Sequence, residues 1–381
     1  MSRPARPFYA HLGPFSDLVE AAKAVRPLFP IAPPGEATRR SAREVLGFRV
    51  GGEQPDDLRL EQAWHVDGVE GEEISWSLGF GPRTHAWVLK PKGAKGPLPG
   101  LVALHDHGHS KFYGKEKIAD GPEGPLPALE PLRRTYYGGR AYANALAREG
   151  FVVLVPDAFL FGSRKFPLEA MPDIDRELAK AVEAALGPDV AAPDSYNGAA
   201  YSHEHVVAKY CTLIGTSLAA VVAYEDRVAL AYLRDRPDVD AGRVASIGLS
   251  GGGLRSALMR AISDDLSACV IVGMMSTYEG LLDSCVATHT WMLFPAGWSQ
   301  RGDLPDLAAS AAPSPLLVQY ALDDPLFTVS GMRAADARIA SHYQGVRAPE
   351  AYRGEFHPGV HRFDVPMQQN AIAWLKEQLR A

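Results

Sequence analysis

Cysteine is scarce in this 381-residue chain: Cys211, Cys269 and Cys285 stand far apart, with no CxxC pair among them. A scattered, odd-numbered set argues against a disulfide framework and a zinc ribbon. Long apolar runs are missing too. No stretch of about 20 apolar residues is present to cross a bilayer, and the start of the chain, Met1 to Pro7, lacks the apolar core of a secretory leader. The expectation is a cytoplasmic protein with no membrane partner. Neither sign of charge dominates. Lys plus Arg number 39 against 45 Asp plus Glu, a net −6, which argues against nucleic acid as the main partner. No repeat, heptad run or low-complexity tract stands out. What is present is an ordinary globular composition, 46% hydrophobic and 22% charged. A chain of this length buries roughly three quarters of its unfolded surface and needs no cross-link to fold. A homo-oligomer is compatible with it.

Residues 1–60 read as a helical extension. Phe15 to Phe29 and Arg39 to Leu46 carry apolar residues at helical spacing, interrupted by Pro27, Pro30, Pro33 and Pro34. Strands follow at Leu58 to Val66, Glu73 to Phe80 and Thr84 to Leu89, separated by Gly and Pro turns. Leu101 to Leu104 and Phe151 to Val155 are short runs apolar on both faces, as in a sheet covered by helices on both sides. A helix is predicted near Asp175 to Leu186 and another over Leu218 to Arg234. The strand Arg243 to Leu249, the helix Gly252 to Ile262, and strands Ala268 to Val272 and Leu316 to Ala321 come next. A last strand is expected to end near Tyr352, before a closing helix from Val365 to Leu379. The alternation predicts an α/β, doubly wound, mostly parallel sheet over residues 61–381. Cap-like insertions fall at about 109–138, 158–216 and 275–312.

The strongest local signal is Gly248-Leu249-Ser250-Gly251-Gly252, a G-x-S-x-G. The bare pattern is weak in a chain with 36 glycines. Its context is specific: an apolar strand ends immediately before it and helix-forming residues begin immediately after. A strand–turn–helix elbow needs glycines on both sides of the serine, so that the backbone can turn sharply and project the hydroxyl. The alternative is a plain Gly-rich turn binding phosphate at a helix N-terminus.

A serine hydroxyl is a poor nucleophile until a base takes its proton and an acid orients that base. Behind an elbow these partners follow in the order Ser, Asp, His. After the strand Leu316 to Ala321 come Asp323 and Asp324, and the loop Tyr352 to Phe363 carries His357 and His361. Asp324 is favoured over Asp323 because Pro325 holds it extended where the chain leaves the strand. His361 is favoured over His357 for its His-x-Phe context near the last helix. Both alternatives stay open on sequence grounds.

At these residues the chain resembles the α/β-hydrolase superfamily, and most of all its acetyl xylan esterase-like and dienelactone hydrolase-like bacterial branch. The resemblance runs from about Thr84 to the C-terminus. It includes the lead-in Leu98 to Val102, the segment Gly150 to Asp157 and Asp238-Val239-Asp240 before the elbow strand. It implies an α/β-hydrolase fold and a cofactor-independent serine hydrolase with the triad Ser250, Asp324 and His361. Two departures matter. Dienelactone hydrolases use a cysteine nucleophile where this chain has Ser250, which favours ordinary ester chemistry. The usual His-Gly after the third strand of the fold is His105-Asp106 here.

The segment His105-Asp106-His107-Gly108-His109 has two readings. In one, the backbone N–H of His107 joins that of Gly251 as an oxyanion hole. In the other, the alternating side chains bind zinc with help from Asp157, His203, Glu204 or His205. The first reading fits the elbow, and no metal or other cofactor is expected. Trp291, Phe294 and Trp298 are candidate pocket residues, with plain core or a subunit interface as the alternative. Phe159, Phe161 and Arg164 follow a strand end and are candidates for the same cleft. Lys115, Lys117 and the Arg39-Arg40 pair are expected on solvated faces. The expected partner is a small-molecule ester with an acetyl or other short acyl group, carbohydrate esters included. Alternatives are an amidase or peptidase on the same triad, a metallohydrolase at His105 to His109, or a silent protein that only binds a ligand.

Overall fold

The computed structural model describes residues 9–187 and 191–380, so the stretch Met1 to Pro7 lies outside the described residues. Nine strands among these form one mixed sheet: β1 (Asp56–Val66), β2 (Val69–Ser77), β3 (Thr84–Pro91), β4 (Leu98–Leu104), β5 (Val152–Pro156), β6 (Val239–Leu249), β7 (Ala268–Val272), β8 (Leu316–Ala321) and β9 (Tyr352–His357). The spatial order is β1-β2-β3-β5-β4-β6-β7-β8-β9. β1 to β3 pair antiparallel, as do β3 and β5, and every pair from β5 to β9 is parallel. From β4 the chain first moves outward to β5 and then returns to the other side of β4 with β6. This reversal opens a crevice at the carboxyl ends of β4 and β6, where sheets of this type place their sites.

The period-2 alternation of strand side chains builds two cores. Leu101, Ala103, Val153, Val155, Ile247 and Val270 face the helices Tyr142–Arg148 and Val365–Leu379. Val102, Leu104, Val152, Leu154 and Val244 face the helix Leu218–Arg234 on the opposite side. The central strands are therefore buried on both faces, which is why they read as unbroken apolar runs. Truncating a side chain there, as in Leu101→Ala, should cost about 2–5 kcal/mol.

Several elements depart from the sequence reading. The N-terminal extension holds helices Asp17–Val25 and Glu36–Val45, and its boundary at residue 60 falls inside β1. It is part of the main body: Ala42 and Leu46 join the core, and Ala32 N–H donates to Asp306 Oδ2 at 3.2 Å. The last strand begins rather than ends at Tyr352, because residues 329–345 form a helix before it. That edge strand, Tyr-Arg-Gly-Glu-Phe-His, is too polar to show an apolar alternation. The insertion after β5 contains a 22-residue helix, Ala192–Leu213, that composition did not reveal. Lys115 and Lys117 are not solvated. Both are buried, Lys115 on Asp157 at 3.0 Å and Lys117 on the Asp106 carbonyl at 2.8 Å. Among the described residues no single helix is long and apolar enough to cross a membrane.

Candidate active site

Ser250 stands between β6 and the helix Gly251–Ile262 with φ 57° and ψ −123°, a conformation that a residue with a side chain rarely adopts. Two neighbours hold it there: Ser250 N–H donates to Val272 O at 2.8 Å, and Leu254 N–H donates to Ser250 O at 2.9 Å. The flanking glycines are sterically required. A Cβ on Gly248 would come within 2.4 Å of the Gly252 carbonyl carbon, and one on Gly252 within 2.1 Å of Leu104 O. The turn thus packs helix onto strand and leaves the serine at the mouth of a cleft of about 150 Å³.

His361 lines the same cleft. Its Nδ1 lies 2.6 Å from Asp324 Oδ2. A carboxylate can only accept, so the proton sits on Nδ1 and Nε2 is left bare to take another. Asp324 is buried, and its second oxygen accepts from Leu326 N–H at 2.9 Å, which fixes the carboxylate plane. The other candidates have different partners. Asp323 Oδ2 accepts from Gly359 N–H at 2.8 Å and braces the histidine loop, while His357 Nε2 lies 3.2 Å from Glu355. A further histidine in the cleft, His289, donates Nε2–H to Leu326 O at 3.0 Å, and burial pushes its pKa down to about 4.

The loop after β4 meets the elbow directly, since Leu104 pairs with Gly248 across adjacent parallel strands. A Cβ built on Gly251 would lie 2.8 Å from His107 N. The two backbone N–H groups, of His107 and Gly251, are therefore neighbours beside Ser250. Neither donates to an acceptor among the described residues. One uncommitted N–H stands at a helix start and the other in the loop after β4, both beside the Ser250 hydroxyl.

A buried polar network holds that loop. His109 N–H donates to His107 Nδ1 at 3.3 Å, so His107 carries its proton on Nε2 and gives it to Glu204 Oε2 at 2.7 Å. Lys111 Nζ reaches the same oxygen at 2.6 Å. Glu204 Oε1 accepts from Thr290 Oγ1 at 2.6 Å and from Trp291 N–H at 2.9 Å. Burial works to raise the Glu204 pKa, but His107 and Lys111 outweigh it and hold the carboxylate well below its usual range. Burial likewise pushes the His107 imidazole down, so it stays neutral although Glu204 pulls the other way. Beneath it, Asp106 accepts from the Tyr137 hydroxyl and binds buried Lys117.

The remaining expected residues are dispersed. Trp298 is 0% exposed, with its indole N–H on Asp303 O at 2.9 Å, and does not line the cleft. Phe294 packs on the core. Trp291 lines a small recess next to the cleft and donates Nε1–H to His205 Nδ1 at 2.8 Å. Phe159 lines a different cavity. Phe161 is buried with its ring 5.4 Å from that of His107, and Arg164 is buried on Glu225 at 2.6 Å. The side chains of His105 to His109 do not converge: His105 Nδ1 lies on the Asp106 carbonyl and His107 on Glu204. Among the described residues no three His, Cys, Asp or Glu side chains are grouped to hold a metal ion. Sequence reasoning missed Glu204 as a partner of His107. Nothing in its helical surroundings signals a residue 97 positions away.

No family model matches the chain. It is 22% identical over 348 residues to the Bacillus subtilis protein YtaP, whose name marks it only as a hydrolase. That match covers 89% of this chain and all of YtaP. Solved structures of similar fold include methylesterase BT1017, at a TM-score of 0.58 and 16% identity, covering 90% of this chain; the chain spans 62% of that protein's length. A glucuronoyl esterase from Solibacter usitatus aligns at a TM-score of 0.58 and 14% identity over 89% of this chain and 92% of its own. Acetyl xylan esterase 1 from Thermoanaerobacterium sp. JW/SL YS485 aligns at 0.52 and 15%, over 93% and 98%. Strand order, the turn at Ser250 and these neighbours agree: the chain has the α/β-hydrolase fold.

Proposed function

We propose that this protein is a serine hydrolase that cleaves a carboxylic ester of a short acyl group through an acyl-enzyme. The carrying observation is the position of Ser250 at a strained turn, in one cleft with the Asp324-oriented His361 and beside two uncommitted N–H groups. Ser250 Oγ attacks the ester carbonyl while His361 Nε2 takes its proton. The carbonyl oxygen becomes an oxyanion held by the N–H groups of His107 and Gly251. As the carbon–oxygen bond to the alcohol breaks, His361 returns the proton to the leaving alkoxide. Water then repeats the sequence on the acyl-enzyme, releasing a carboxylic acid and restoring Ser250. Asp324 keeps the imidazole in the required tautomer and stabilises its charged form.

The small cleft volume supports a short acyl group. The name of the similar acetyl xylan esterase supports a carbohydrate as the alcohol, whereas that of the glucuronoyl esterase places the carbohydrate on the acyl side. The test is a fluorophosphonate probe followed by intact-mass analysis, together with turnover of p-nitrophenyl acetate. One label per chain, absent from Ser250→Ala, and a loss of at least about 10³-fold in kcat in that variant are expected. A folded Ser250→Ala protein with near-normal turnover overturns the proposal.

A further inference from the structure

A second cavity, of about 520 Å³, shares no lining residue with the cleft at Ser250. It opens between the segment that follows β5, the β2–β3 turn and the helix Ala192–Leu213. Its volume lies in the range of ordinary small-molecule sites. One wall is a chain of aromatic rings in edge-to-face contact. Phe48 meets Phe80 at 5.7 Å, Phe80 meets Phe159 at 6.4 Å, and Phe159 meets Phe166 at 5.7 Å. Rings locked in this way form a wall that needs little further ordering when a ligand arrives.

The polar groups of the cavity are few and unequal. Arg164 is already neutralised: it pairs with buried Glu225 and lies over the Phe80 ring at 4.9 Å. Lys165 is not. Its ammonium donates to Gly162 O at 3.2 Å and faces the Phe112 ring at 4.9 Å, yet it pairs with no carboxylate among the described residues. An ammonium has three donors, so two remain for a ligand. His203 ends the aromatic chain, 5.0 Å from Phe166. It is 7% exposed and lines the cavity, and its imidazole makes no hydrogen bond among the described residues. Its ring nitrogens are not sealed from solvent, so they are open to a ligand atom in the cavity.

We infer that this cavity binds a small amphiphilic monocarboxylate, with its apolar body against the four phenylalanines and its carboxylate on Lys165 and His203. Lys165, with no carboxylate partner beside an apolar wall, favours a single negative charge over a neutral or cationic head, against the opposing field of buried Asp175, which acts on His203. The inference does not rest on the esterase reading, since binding can be measured without turnover.

The test is isothermal titration of the full chain at pH 7 with octanoate, octanol and octyltrimethylammonium. Octanoate should bind at one per chain, more tightly than octanol, with the cation giving no saturable heat. Lys165→Gln should weaken octanoate about tenfold or more, as expected for a lost charged hydrogen bond, and leave octanol nearly unchanged. Val207→Trp fills the cavity from the helix Ala192–Leu213 and should abolish binding of both. If circular dichroism shows that variant misfolded, the Lys165→Gln comparison decides alone. Absence of saturable octanoate binding, or equal binding of octanoate by Lys165→Gln and the parent, overturns the inference. So does a concentration-dependent dimer in sedimentation that Val207→Trp disrupts while octanoate has no effect, because the cavity is then an interface between copies.

Discussion

Glu204, on the helix Ala192–Leu213 of the cap-like insertion after β5, accepts a hydrogen bond from the His107 imidazole at 2.7 Å. His107 belongs to the loop after β4 whose backbone N–H lies beside Gly251, so one side-chain contact joins the cap to the corner at Ser250. The same carboxylate holds Thr290 and Trp291 from the third insertion, at about 275–312. Glu204→Gln keeps the shape and removes the charge that neutralises buried Lys111. Breaking a buried pair in this way should cost about 3–5 kcal/mol of stability. A loosened His107 N–H should also lower kcat for p-nitrophenyl acetate by about 10- to 100-fold with little change in KM. A proportionate rise in KM at constant kcat would instead give Glu204 a purely structural role in the cap.

The same pair predicts a pH signature in stability. The folded pKa of Glu204 is depressed, so its ionised form stabilises the folded state above the unfolded value of about 4.3. As pH falls from there through the depressed folded value, that contribution is lost. Urea unfolding of the parent and Glu204→Gln should show a constant gap between about pH 5 and 7, closing below about pH 4. A gap that stays constant down to pH 3 would contradict the pairing.

Four single substitutions separate the acid and base candidates. His361→Ala should cost at least about 10³-fold in kcat, and Asp324→Asn about 10⁴-fold through the wrong imidazole tautomer. His357→Ala and Asp323→Asn should retain most activity, because His357 contacts Glu355 and Asn can still accept from Gly359 N–H. A dead His357→Ala protein beside an active His361→Ala protein would exchange their roles.

Gly251→Ala probes the proposed oxyanion corner without touching a reactive group. The added methyl would sit 2.8 Å from His107 N and 3.0 Å from His107 Cβ, both on a loop anchored by buried bonds. The loop must shift, and loss of one donor should lower kcat about 10²- to 10³-fold. Phosphonate labelling of Ser250 should slow in parallel. Unchanged rates in a folded variant would place the oxyanion elsewhere.

Sequence alone makes the His107 side chain look dispensable, since its N–H survives truncation to Ala. The structure gives the ring a role of its own: it is buried on Glu204, so His107→Ala leaves part of a charged network unpaired. We expect His107→Ala to lose stability by about 1–3 kcal/mol and some kcat, and His107→Pro to lose more, because proline removes the N–H itself. EDTA should leave turnover unchanged in the parent. Loss of activity on chelation, restored by zinc, would revive the metal reading of the His105 to His109 segment.

Local chemistry made much of this protein legible. Strands buried on both faces announce themselves as short apolar runs, and β4 and β5 were found that way. The turn at Ser250 was readable because glycine on both sides of a serine at a strand end meets a steric need, seen here in the clash a Cβ would make at Gly248 and Gly252. The edge strand β9 and the helix Ala192–Leu213 were not legible. One is a polar strand at a sheet margin, and the other packs against neighbours on more than one side, so neither shows a clean apolar period.

What the sequence determined by itself is the alternation of elements, the doubly wound sheet and the chain order of Ser250, the Asp323–Asp324 pair and the two histidines. Each follows from interactions within a few residues or from the periodicity of one segment. Tertiary structure decided the pairing. Asp324 meets His361 because parallel β8 and β9 end side by side at Ala321 and His357, and the loops beyond them turn into the same cleft. Trp298 went to the core and Lys115 and Lys117 to buried ion pairs for the same reason. Where a side chain finds its partner depends on segments far away in the chain, and no local pattern encodes that distance.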